Sequence, residues 1–211
     1  MKTDDLIHML ATQAGPVQKG LFARSLMPAA ALALGFSASV TWLVLGWVPP
    51  EILSMAGMQL KLAYVAVLAL ASGALLYRLG KPGMPIRMQQ ALVLALPMLM
   101  MAYGALGYMV TPEDQKAHAL WGHSYLTCPW TIAALSVPGL FAAFWAASKM
   151  APTRIRLTGA VCGLFAGALG AAGYAFACSE VAAPFVALWY TLGIGLVAAL
   201  GAAVAPRLIR W

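Results

Sequence analysis

Residues 157–177, LTGAVCGLFAGALGAAGYAFA, carry no charge over 21 positions. A helix rises 1.5 Å per residue, so about 20 apolar residues cross the hydrocarbon core of a bilayer. Gly159, Gly163 and Gly167 recur at four-residue spacing, and Gly170 and Gly173 follow. That spacing puts small residues on one helix face, where another backbone can approach closely. The stretch therefore reads as a membrane helix packed inside a bundle. Its ridge could receive a helix of the same chain or of a second copy, so a homodimer stays open at this stage.

Working outward, five more stretches have the same length and polarity: 26–48, 60–79, 91–110, 128–147 and 182–204. Of the 211 residues, 63% are hydrophobic and only 9% charged, and the mean hydropathy is +0.84. Soluble domains carry about 25% charged residues, so a lone soluble globule is excluded. The expected fold is all-α, a six-helix transmembrane bundle with short loops. The first apolar run is too long for a signal peptide and follows a long mixed segment, so it reads as a retained helix.

The net charge of +7 is explained by topology. Eleven Lys and Arg residues (Lys2, Lys19, Arg24, Arg78, Lys81, Arg87, Lys149, Arg154, Arg156, Arg207, Arg210) fall on one side of the six spans, and only Lys61 and Lys116 on the other. By the positive-inside rule both termini are cytoplasmic. No basic face on a soluble element exists for nucleic acid, so direct nucleic-acid binding is not expected.

Two domains follow: residues 1–24 form a cytoplasmic arm, and residues 25–211 the transmembrane domain. In the arm, Thr3 suits an N-cap, Asp4 and Asp5 the first turn, and Leu6, Ile7, Met9, Leu10 and Ala14 an apolar stripe that ends at Gly15-Pro16. Anionic inner-leaflet lipids attract basic segments, whereas this helix is acidic. A groove on a soluble protein partner fits it better. On the opposite side, residues 111–127 have room for a short helix, with Thr111 as cap, Pro112 at the first position and Glu113 and Asp114 in the first turn.

Cys128 opens the fourth span, with Pro129 behind it, and Cys178 closes the fifth, two residues before Glu180. Both map to the outer boundary, whereas Cys162 lies deep and reads as a small apolar filler. The helix N-terminus should favour the Cys128 thiolate, making it the more reactive sulfur with Cys178 as the resolving thiol. Both could instead hold a transient soft metal ion, with His118, His123 and Glu180 as weaker ligands. No constitutive cofactor is expected. A quinone-linked membrane thiol-redox enzyme would carry a Cys-x-x-Cys, and this chain has none. A transporter would place Asp, Glu, Arg or His in mid-span, and none lies there.

The opening Met1-Lys2-Thr3-Asp4-Asp5-Leu6-Ile7, Cys128-Pro129 at the head of a span ending near Ala151-Pro152, the Gly-rich helix running to Tyr174 and Cys178-Ser179-Glu180, then Trp189-Tyr190-Thr191-Leu192-Gly193-Ile194 and the terminal Leu208-Ile209-Arg210-Trp211 occur in this order. Together they resemble the NrsF family of six-helix inner-membrane anti-sigma factors. The resemblance implies a regulator without enzymatic activity that sequesters a cytoplasmic extracytoplasmic-function (ECF) sigma factor. It further implies release on periplasmic heavy-metal or oxidative stress, sensed through a cysteine pair. The pair carries over onto Cys128 and Cys178, and the sigma-binding arm onto residues 1–14.

Overall fold

The computed structural model describes residues 21–81, 83–150 and 152–209, with side chains from Leu26 onward. The expected arm helix of Asp4, Asp5, Leu6, Ile7, Met9 and Leu10 lies outside the described residues. Eight helices follow in chain order, and among the described residues there is no strand. They are α1 (Leu21–Val40), α2 (Pro50–Leu53), α3 (Ala56–Leu79), α4 (Arg87–Val110), α5 (Glu113–Trp121), α6 (Cys128–Ser148), α7 (Ile155–Ala175) and α8 (Ala183–Leu208). A π-helical turn, Thr41–Leu45, prolongs α1, and another, Val186–Tyr190, interrupts α8. Six of these helices are long and apolar enough to span a membrane.

The helix ends depart from the hydropathy reading by a few residues. α3 starts at Ala56 and α4 at Arg87, because Gln59, Gln89 and Gln90 keep helical backbone outside the apolar stretches. α8 continues to Leu208. Chain direction changes after Leu45, where Gly46 takes a φ of 78°.

Small residues put α7 at the centre. Fifteen of its 21 residues are buried, and it packs against α8, α6, α3 and α1. A β-carbon on Gly159 would collide with Gly201 and Ala205, and one on Gly163 with Val197 and Ala198, all on α8. Gly167 meets Ile194 of α8, Gly170 meets Ser136 of α6, and Gly173 meets Ser37 of α1. The ridge is therefore consumed within the chain. Its face is occupied by α8, α6 and α1 of the same chain.

Lipid-facing helices have the opposite composition. α4 buries only Val93, Met100 and Gly104, while Leu92, Leu94, Met98, Leu99 and Leu106 are exposed. Such an apolar surface suits a hydrocarbon solvent rather than water.

The helix expected between the third and fourth spans is present as α5, but its cap is not the expected one. Thr111 Oγ1 donates to the Gly107 carbonyl of α4 at 2.7 Å and so closes the preceding helix. Pro112 occupies the cap position of α5 without a side-chain bond.

Candidate functional site

Cys128 and Cys178 come together at the end of the bundle where α6 begins and α7 ends. Residues 122–127 form a chain of turns into α6, so the Cys128 amide is already spent on the Ser124 carbonyl at 2.8 Å. Ser124 also places its hydroxyl 4.0 Å from Cys178 Sγ. One serine thus touches both cysteine residues. Tyr174 and Tyr190 flank the pair, with ring centroids 6.0 Å apart. All three cysteines are free thiols.

The exposure assumed for a reactive Cys128 is absent. Cys128 is 0% exposed and Cys178 4%, and attack by a thiolate requires access. Burial, together with an amide already bonded, removes the argument that ranked Cys128 above Cys178. Cys162 is also 0% exposed, within the packed length of α7, as expected of a filler.

Lys61 was missed as a site residue, having been counted only as an outer charge. Its side chain is 0% exposed. Nζ donates to the Cys178 carbonyl at 2.6 Å and to the Glu180 carbonyl at 3.0 Å, and lies 5.4 Å from the Tyr190 ring centroid. The signal was present in Leu60-Lys61-Leu62-Ala63, since an ionisable residue inside an apolar span marks a functional site by default.

Glu180 is buried at 8% exposure. Its Oε1 accepts the His123 amide at 2.8 Å, which ties the α7–α8 connection to the turn beneath α5. Gly122 makes this possible: its φ is +53°, and a β-carbon there would lie 2.7 Å from Glu180 Cδ. His118 and His123 turn to each other, Nε2 to Nε2 at 3.0 Å, and both are exposed. Among the described residues, no group of three or more His, Cys, Asp or Glu is gathered to hold a metal ion. His118, His123 and Glu180 therefore do not join the thiols as a preassembled ligand set, because each is engaged elsewhere. Without further ligands, the two sulfurs can give up two electrons and two protons to an external oxidant and form a disulfide, or bridge a soft ion as thiolates.

An aromatic cluster of Trp121, Tyr125 and Trp189 closes this end from above, with centroid separations of 5.1 to 5.7 Å. Trp189 Nε1 donates to the Leu120 carbonyl at 2.9 Å and pins α5 to α8. Below it, Thr41 Oγ1 and Tyr190 OH are buried without a hydrogen-bond partner. Each belongs to one of the two π-helical turns. Such turns are concentrated at functional sites.

α1 connects this end with the other. Val48 N–H donates to the Phe176 carbonyl at 2.9 Å, and Trp47 stacks on Phe176 at 5.8 Å. Further along, Ser37 Oγ donates to the Gly170 carbonyl at 3.3 Å, and Ala33 faces Gly139 of α6. The helix that leads back to the N-terminal segment is therefore packed on both cysteine-bearing helical regions.

The family model described as "Negative regulator of sigma F", NrsF, matches residues 10–211. The chain belongs to the NrsF family. Two relatives align with NrsF character over the whole of both chains. A probable anti-sigma-F factor NrsF of Azospira oryzae is 36% identical over 218 residues. The anti-sigma-F factor NrsF of Caulobacter vibrioides is 34% identical over 217 residues. No solved structure matches this NrsF chain.

Proposed function

We propose that this chain is an inner-membrane anti-sigma factor that sequesters an ECF sigma factor and releases it when Cys128 and Cys178 are oxidised or bridged by a soft metal ion. The observation that carries the reading is full-length likeness to two anti-sigma-F factors in a chain whose two outer cysteines share one buried site. The family role is regulatory and requires no enzymatic step.

In this reading the chain is a multi-pass membrane protein with both termini in the cytoplasm, following the eleven-to-two charge bias. Residues 1–24 form the arm, where Asp4, Asp5, Leu6, Ile7, Met9 and Leu10 contact the sigma factor. Cys128 and Cys178 face the periplasmic side, where disulfides persist. Forming a sulfur–sulfur bond or a sulfur–metal–sulfur bridge draws the start of α6 and the α7–α8 connection together. α1 packs on both and passes the shift to the arm. Releasing most of the bound sigma factor requires a difference of about 3–5 kcal/mol in affinity between the two conformations. A disulfide or thiolate-bound metal is worth that much.

Deletion of residues 2–14 tests the arm. The deleted protein should reach the membrane in normal amount, fail to co-purify with a sigma factor and leave the regulon fully on. A deletion variant that still retains the sigma factor would overturn this assignment. Solute flux in proteoliposomes or dithiol turnover with quinone would instead point to the transporter or thiol-redox alternatives.

A further inference from the structure

Lys61 occupies an unusual position for a lysine in a membrane helix. It lies one turn into α3, is wholly buried, and directs Nζ at two backbone carbonyls on either side of Ser179. Those carbonyls belong to Cys178 and Glu180, so the amine spans the segment that carries one sensor sulfur. Gly57, one turn earlier on α3, abuts the backbone of Val181, and the two contacts hold this segment against α3 along its length. The Glu180 carboxylate is not the partner of Lys61: it faces the His123 amide, and among the described residues the one ion pair is Lys116 with Glu113.

We propose that Lys61 is a positioning residue of the thiol site, whose amine clamps the segment bearing Cys178 and Glu180 to the start of α3 and so sets how readily Cys178 can be reached. The clamp follows from geometry. Cys178 is 4% exposed and its carbonyl is one of the two that Nζ holds, so a movement of the segment that bares the sulfur to a reagent or ion works against the clamp. Lifting the segment requires breaking both bonds from Nζ of a side chain that is wholly buried. Buried groups stripped of their partners are costly, so the resting segment stays shut. Only the consequence for transcription rests on the anti-sigma reading given above.

The test uses full-length protein in native membranes without any sigma factor, labelled with N-ethylmaleimide and read residue by residue by mass spectrometry. In Lys61→Met the Cys178 labelling rate should rise by about tenfold, the effect of losing one or two such bonds. Cys162, buried deep in α7, should remain unlabelled and reports general loosening. Lys61→Arg, which keeps donors for both carbonyls, should stay near the parent rate. If Lys61→Met is not recovered in membranes, Lys61→Gln replaces it with the same expectation, since its shorter amide cannot reach both carbonyls. A Cys178 rate within twofold of the parent, an equal rise at Cys162, or an Arg variant that behaves like Met would each overturn the clamp. A raised rate with an unaltered transcriptional response would leave the clamp standing and count against the sensor reading instead.

Discussion

At the end of the bundle that holds the thiols, Lys61 and Glu180 are buried and bonded to backbone groups from other elements. At the opposite end Lys81, Lys149, Arg154 and Arg156 are exposed. There, Lys81 and Lys149 lie over the rings of Tyr77 and Trp145, with centroid distances of 4.1 and 3.3 Å. Long side chains of this kind keep their stems on apolar surface and their charge in the polar layer. The charged groups of the thiol-bearing end are thus buried and bonded to the backbone of other elements, whereas these basic side chains are exposed. A positional change should be felt at the first and tolerated at the second.

Gly122→Ala should show the largest effect. It forces a side chain onto a left-handed backbone and against Glu180 Cδ, at a cost of about 2–3 kcal/mol. Thermal unfolding in detergent should register it as a clear drop in midpoint, and an unchanged midpoint would mean that Glu180 has room to move. Glu180→Ala comes next, leaving the His123 amide without its acceptor for about 1–2 kcal/mol. Trp189→Phe keeps the aromatic packing but loses the bond to Leu120, and should cost about 1 kcal/mol in the same assay. Lys149→Gln, at the basic end, should change stability by under about 0.5 kcal/mol. If Lys149→Gln proved as damaging as Glu180→Ala, the contrast between the ends would be lost.

Much of the architecture was readable in the sequence because crossing a bilayer imposes a length and a polarity that hydropathy measures. The six spans appear within a few residues of their expected ends, and the glycine spacing in α7 announced close packing. The partner of that ridge was not readable, since Gly163 could have faced any helix, and only the fold brings Val197 and Ala198 of α8 to it. The cysteine pair was legible from its shared boundary. Lys61 escaped because a lysine near a span end looks like a loop charge until the α7–α8 connection folds over it. Gly122 and the π-helical turns escaped for a similar reason: their roles depend on groups 58 residues away, as with Glu180, or on backbone hydrogen bonding that composition does not encode.

The Cys128→Ser, Cys178→Ser double variant, followed with a sigma-dependent reporter during exposure to cadmium or an oxidant, separates the two ends of this account. The response should be flat, while the protein remains in the membrane with the sigma factor bound. Induction equal to that of the parent protein would contradict the proposed link between the paired sulfurs and the N-terminal segment.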